Sequence, residues 1–385
     1  MQLVVSGPEL GLQITPANLA DDVDVIEIHQ EFYGVPWDAF EQGTPPPPEW
    51  VAKMDALATS AKAANKPVFL SVSALNGGRD HLAARTVIKN GKVDSQDNWS
   101  ARCYDFATAA DGASKKAAYL KYVGWMVGRF SPKWLNVMVE TNLFFEKCPS
   151  AVAGVVAVSN AAYDAVKAAA ASTIVFPSIQ IDHLYGYSKD TCPDPNGRKA
   201  CFDAAYAQIA PLKRDRFAMS SYPMGSEIGG AAGVPADWFT RGASRGGERP
   251  LIAETGYDST SIVAQTGQGT CVPAITSSEA DAATYFQKVM AAAVDANMDL
   301  VNWWSNRDLL VAQFMTDCPC TFDATWCTVL GQFRGPPGDS GVDTQLFGEI
   351  LLKAFGTMGI RGYDGAPKPI LYPLWQKARA LPLAP

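Results

Sequence analysis

Residues 119–140 read YLKYVGWMVGRFSPKWLNVMVE, and the fold turns on how that stretch is parsed. Ala118, Tyr122, Trp125, Met126 and Arg129 recur at helical spacing, which predicts a helix over Lys115–Phe130. Ser131-Pro132-Lys133 is a turn. Trp134–Val139 is then a continuous apolar run of strand character that ends on one acid, Glu140.

The same alternation continues outward in both directions. Further strand-like runs are Leu10–Thr15, Val23–His29, Val68–Ser73, Thr173–Gln180, Arg216–Ser221, Leu251–Glu254 and Asp299–Trp304, which brings the count to eight. Helical stretches fall between and after them: Glu49–Ala64 behind the stop signal Pro45–Pro48, alanine-rich Ala151–Ala171, Ser278–Ala296 with its acidic first turn, Gln345–Phe355 and Tyr372–Arg379. The runs are continuous rather than alternating, as in strands covered on both faces. Strands that alternate with crossover helices predict an α/β fold, a single (β/α)8 TIM barrel over 1–385. No Gly-x-Gly-x-x-Gly opens a helix, which disfavours a doubly wound open sheet. Long stretches follow several strands, at Leu75–Asp111, Gly186–Ala200, Gly225–Arg249 and Thr255–Thr276, where a barrel builds its active site.

Composition narrows the partners. The 385 residues are 48% hydrophobic and 18% charged with net charge −7, a globular balance with no basic run to attract nucleic acid or an anionic membrane. A neutral polymer such as an oligosaccharide or polysaccharide fits, as does a monomeric enzyme. No run of about 18 apolar residues suggests a membrane span. Eight cysteines point to disulfides in a secreted or periplasmic protein whose signal peptide has been removed. Cys192 and Cys201 bracket a short loop; Cys318, Cys320 and Cys327 pair among themselves or with distant partners. Three histidines at dispersed positions offer no metal set, so no metal or cofactor is expected.

Glycosidic hydrolysis needs two carboxyl groups flanking the bond, one to protonate the leaving oxygen and one to attack the anomeric carbon or activate water. Two acids end apolar strands, Glu140 in WLNVMVETN (134–142) and Glu254 in RPLIAETGY (249–257). A carboxylate there costs on the order of several kcal/mol unless paired or solvated, which favours a functional role.

Four segments carry a likeness to a known group: 119–134, Met219–Pro223, Pro250–Gly256, and Met358–Arg361 with Asp364–Pro369. With these the chain resembles the clan A glycoside hydrolases, retaining (β/α)8 enzymes, and among them the arabinogalactan endo-β-1,4-galactanases and their uncharacterised relatives. The resemblance implies that Glu140 is the general acid/base and Glu254 the nucleophile. It also implies an Asn immediately before the acid/base, bonded to the sugar 2-hydroxyl, where this chain has Val139. Asn142 or Asn136 could replace it, the substrate could lack an equatorial 2-hydroxyl, or Glu140 could have lost its role.

Other candidates surround the pair. Trp303 and Trp304 end the eighth run, and one of them, Trp304 by preference, could stack on a pyranose. Tyr222 could hold the nucleophile ionised. Glu27, His29 and Glu31 alternate on the second strand and share a face. His183, Trp37, Asn98 and Trp99 lie after strands, where they could contact substrate. Two other functions compete with a retaining β-glycosidase: a catalytically inactive barrel that binds glycan, which Val139 favours, and a metal-dependent hydrolase, which the scarcity of histidine opposes.

Overall fold

In the computed structural model, the residues described are 2–6, 21–188, 192–226, 228–266, 269–321, 327 and 344–381. The strands are β1 (Gln2–Ser6), β2 (Val25–His29), β3 (Val68–Ser71), β4 (Arg85–Lys89), β5 (Lys92–Gln96), β6 (Trp134–Met138), β7 (Ile174–Gln180), β8 (Phe217–Ser221), β9 (Pro250–Thr255), β10 (Thr260–Gln265), β11 (Cys271–Ser278) and β12 (Leu300–Trp304). Eight of them close into a barrel in the order β1-β12-β9-β8-β7-β6-β3-β2. The pairs from β1 through β2, β3, β6 and β7 to β8 are parallel. This is a (β/α)8 barrel. Seven of its strands coincide with runs read from the sequence. The eighth, β1, lies at Gln2–Ser6, whereas the expected Leu10–Thr15 falls outside the described residues.

Local chemistry explains the element ends. Pro48 occupies the first turn of helix Pro48–Ala63, where a missing N–H costs nothing. Helix Gly112–Phe130 stops at Ser131, which takes the left-handed conformation with φ 45° just before Pro132. β4 and β5 form a hairpin turned by Asn90 and Gly91, both at positive φ, the preferred two-residue turn chemistry.

The barrel interior is layered. Val25, Phe69, Trp134, Phe176, Ala218, Leu251, Ala253 and Leu300 form one buried cluster. Two residues further along β2, β3, β6, β7, β8 and β12 stand Glu27, Ser71, Asn136, Ser178, Ser220 and Asn302, all buried. A polar layer thus lies over the apolar floor, toward the C-terminal ends of the strands. Pro177 sits within β7, where it cannot donate to the ladder, and the β6–β7 register shifts opposite it, between Asn136 and Met138. The Asn136 side chain repairs the defect. Its Oδ1 accepts from Met138 N at 3.3 Å and Ser178 N at 3.0 Å, and its Nδ2 donates to Ser178 Oγ at 3.0 Å.

The chain comprises two compact units, and the segments after β9 and β12 carry secondary structure and disulfides of their own. The first unit holds residues 1–221, 239–254 and 296–302, hence most of the barrel. Its disulfides are Cys103–Cys148 and Cys192–Cys201. The second unit holds 222–238, 255–295 and 303–385. It contains the β10–β11 hairpin, helix Glu279–Asp295, helix Thr344–Gly356, helix Leu371–Arg379 and the disulfides Cys271–Cys318 and Cys320–Cys327. The Glu279 carboxylate accepts from the N–H groups of Ile370 and Leu371 and so caps the last helix. No helix among the described residues is long and apolar enough to cross a membrane.

Candidate active site

Within the first unit, charged side chains gather at the C-terminal ends of β2, β3, β6, β7 and β9. Glu140 follows β6 directly, in the left-handed conformation at φ 48°, ψ 48°. A non-glycine residue held there is strained by about 1–3 kcal/mol, and such strain clusters at functional positions. Its surroundings hold it fast. The backbone N–H donates to Ser178 Oγ at 2.9 Å, and Ser220 Oγ donates to Oε1 at 2.8 Å. The Arg79 guanidinium lies 3.5 Å from Oε2. Both carboxylate oxygens are therefore addressed by donors in a site where Glu140 keeps a side-chain exposure of 16%.

Arg79 organises the rest. It stands in the loop after β3, with positive φ, and its Nη1 bonds Glu31 Oε1 and the Asn76 carbonyl, each at 2.7 Å. Burial opposes its charge, but Glu31, Glu140 and Glu254 together hold the guanidinium ionised above its ordinary value. One buried cation thus serves both strand-end acids. Beneath it, His29 lies between Glu27, 3.5 Å from Nδ1, and Glu31, 3.4 Å from Nε2. Burial disfavours the imidazolium, yet the two flanking carboxylates raise its pKa well above the usual histidine value. Glu31 is likewise buried, but Arg79 and His29 bring its pKa down to about 2. The result is a chain of alternating charge, Glu27–His29–Glu31–Arg79–Glu140.

His183, after β7, bonds Glu146 Oε2 through Nδ1 at 2.7 Å. Burial works against its charge, while Glu146 first, then Asp182 and Glu140, raise its pKa. It remains half-buried and faces the same acid.

Several residues expected to touch substrate are corrected by their burial or bonding. Trp37 is only 1% exposed, gives its indole N–H to the Ala83 carbonyl, and packs on Tyr119. Trp303 is fully buried in the second unit, between Tyr285 and Phe286, with its N–H on the Met358 carbonyl. Asn142 spends its whole amide on the end of β7, accepting from Gln180 N and donating to Gln180 O. Asn142 is committed to backbone and Asn136 to backbone N–H groups and the Ser178 hydroxyl, and Val139 is buried. Glu27 and His29 lie too deep to touch a ligand and act as support for Glu31.

Others stay accessible. Asn98 is exposed and accepts from Asn76, the residue that shapes the Arg79 loop. Half-buried Trp99 lies under Arg85 and Lys115, at 5.9 and 5.0 Å. In the second unit, half-buried Tyr222 packs on Phe355 with centroids 4.9 Å apart, whereas Trp304, expected to stack on a pyranose, is buried against Phe355 at 5.4 Å with its indole N–H on the Phe355 carbonyl.

Sequence reasoning missed Arg79, Ser178, Ser220 and Glu146. Only Arg79 left a signal: the buried acids Glu27 and Glu31 demand a cation, and His29 alone does not balance them.

No protein-family model and no curated protein matches the sequence. Solved structures do. A GH5_18 protein from Bifidobacterium longum aligns with TM-score 0.59 at 14% identity, over 100% of this chain and 81% of the other. A GH5_18 protein from Streptomyces cattleya, in complex with Manβ1-4GlcNAc, aligns with TM-score 0.58 at 13% identity, over 100% of this chain and 82% of that one. A protein described as beta-glucosidase 1317 aligns with TM-score 0.54 at 12% identity, over 95% and 87%. At such identities the likeness establishes the barrel fold.

Proposed function

We propose that the chain is a clan A retaining glycoside hydrolase acting on a β-linked oligosaccharide or polysaccharide. The observation that carries this reading is Glu140 at the end of the fourth barrel strand, held by Ser220 and by the Arg79 guanidinium, whose charge Glu254 at the end of the seventh strand also favours. Glu254 attacks the anomeric carbon as a carboxylate, while Glu140, protonated, gives its proton to the departing glycosidic oxygen. A covalent glycosyl-enzyme and a free aglycone result. Glu140, now a carboxylate, takes a proton from water, whose oxygen displaces Glu254 and leaves the β-hydroxyl at the anomeric carbon. Arg79 offers its positive charge to Glu254, the attacking group. Ser220 and Arg79 fix the two oxygens of Glu140, so that its proton stands toward the leaving group. The mechanism calls on no metal or cofactor. Four disulfides support an exported protein.

A second reading is a barrel that binds glycan without turnover. It is favoured by buried Val139 and by the engagement of the Asn136 amide with the Ser178 hydroxyl and of the Asn142 amide with the Gln180 carbonyl, which leave the 2-hydroxyl without an asparagine donor. A panel of aryl β-glycosides and polysaccharides separates the two, with Glu140→Gln and Glu254→Gln beside the native protein. Because the similar structures include a protein bound to Manβ1-4GlcNAc and one described as a β-glucosidase, β-mannosides and β-glucosides come first. Turnover lost in both variants is expected. Glycan binding without turnover on any substrate would support the second reading.

A further inference from the structure

The loop that carries Arg79 and the helix that Glu140 opens are joined twice, at the acid and at the far end. At the near end Arg79 meets Glu140 at 3.5 Å. Helix Thr141–Lys147 then runs away from Glu140 and ends at Cys148. There Lys147 Nζ donates to the Gly78 carbonyl at 2.7 Å, and Cys148 is bonded to Cys103 across 45 residues of sequence. Cys103 in turn donates its N–H to the Asp80 carbonyl at 2.6 Å, and its neighbour Arg102 reaches the Asp80 carboxylate at 3.2 Å. Asp80 is the residue next to Arg79. The Asn76 side chain holds the turn closed by accepting from the N–H groups of Asp80 and His81, each at 3.1 Å. Arg79, Asp80, Cys103, Cys148, the helix and Glu140 therefore form a ring of contacts with one covalent link.

We propose that the Cys103–Cys148 disulfide positions the catalytic pair: it holds the Arg79 loop against the helix of Glu140, so that breaking it misaligns guanidinium and acid while the barrel stays folded. The inference rests on the glycosidase reading for its kinetic consequence, though not for the tie itself. The remaining far-end links are solvent-facing hydrogen bonds, each worth about 1 kcal/mol net, too little to hold a loop in one register. Cys103 is half-buried and Cys148 buried, so the bond is reachable by a small reductant from one side only. Misplacement of a positioned group by about 1 Å can cost on the order of a hundred-fold in rate.

The test compares Cys103→Ser/Cys148→Ser with Cys192→Ser/Cys201→Ser, which removes the other disulfide of the first unit. Three properties are read: kcat and KM on the best glycoside of the panel, the pH profile of kcat/KM, and the rate at which phenylglyoxal modifies Arg79, followed by peptide mass spectrometry. Without the 103–148 bond, kcat should fall roughly ten- to a hundred-fold with KM within about two-fold, and the pH profile should shift. Arg79 labelling should accelerate about ten-fold, in line with a looser buried pair. The control variant should match the native protein in all three. If the double variant does not fold, native protein partly reduced and alkylated at Cys103 and Cys148 takes its place. Lower thermal stability with unchanged kcat, pH profile and Arg79 labelling would overturn the proposal. If the native protein turns over no glycoside, labelling decides alone: faster labelling upholds the tie and sinks the glycosidase reading, and unchanged labelling sinks the tie.

Discussion

Replacing Arg79 by Met keeps the length of the side chain and removes the cation on which three acids depend. At 3.5 Å and an effective dielectric near 20, the attraction to Glu140 alone is about 5 kcal/mol before desolvation is subtracted. Removing one partner of a buried pair costs about 3–5 kcal/mol, because the other charge is left uncompensated. Here the stranded group is Glu31, which keeps only His29. Arg79→Met should therefore lower the unfolding free energy by about 3 kcal/mol, measured by denaturant titration at neutral pH. The activity loss should be larger than instability explains. Without the guanidinium both Glu140 and Glu254 lose the positive charge that faces them. A loss of about 3–4 kcal/mol of transition-state stabilisation corresponds to roughly 10²–10³ in kcat/KM. Arg79→Lys should not restore activity, since a single ammonium cannot serve Glu31, the Asn76 carbonyl and Glu140 at once. Stability within about 0.5 kcal/mol of native, with kcat/KM within about three-fold, would refute the role given to Arg79.

Three further outcomes follow from the same geometry. Glu31, whose pKa is depressed to about 2, contributes stability that is present above its unfolded value and lost as pH falls through about 4 toward 2, so native protein but not Glu31→Gln should lose stability steeply over that range in acid titrations of unfolding. In the second unit Asp258 is fully buried, and burial raises its pKa to about 7 although Thr357 and Lys368 pull it down; the stability this contributes is full below its unfolded value of about 4 and is lost as pH rises to about 7. Asp258→Asn should thus flatten the decline in melting temperature between about pH 4 and 7, and an unchanged decline would place the titration elsewhere. Trp303→Ala should cost about 3–5 kcal/mol through a cavity between Tyr285 and Phe286, seen in thermal unfolding, with glycan KM unaltered where the protein still folds.

Much of the barrel was legible because its strands are short apolar runs bounded by turn residues, and the packing of a parallel barrel asks for little else. Val68–Ser71, Trp134–Met138 and Leu300–Trp304 could be read to within two residues. β1 was not, since the five residues QLVVS at the chain start carry too little pattern to outrank a neighbouring run. The two acids were legible for a related reason: a carboxylate ending an apolar strand conflicts with its surroundings unless something pairs with it. What pairs with it was hidden. Arg79 lies in Gly77-Gly78-Arg79-Asp80, a loop with no periodicity, and only the fold brings it to β2, β6 and β9. The aromatics show the same limit. Trp303 and Trp304 are adjacent and alike in sequence, yet a strand turns them to opposite faces, and Trp37 is buried by contacts with Tyr119 and Trp99 that no local pattern records. Asn136 and Asn142 had the right chemistry for a sugar but spend it on β7, Asn136 beside Pro177, whose missing N–H breaks the ladder there, and Asn142 on Gln180 at the strand end. A proline inside an apparent central strand was a sign that nearby polar side chains would be engaged in repair.

The most direct measurement is to trap the covalent intermediate. The protein is incubated with an activated 2-deoxy-2-fluoro β-glycoside of the best panel sugar, then digested and mapped by mass spectrometry. The account expects one fluorosugar on the peptide containing Glu254, no label in Glu254→Gln, and slow trapping in Glu140→Gln. A label on a different carboxyl group, or no label from a glycoside whose hydrolysis gives the inverted anomer first, would contradict it.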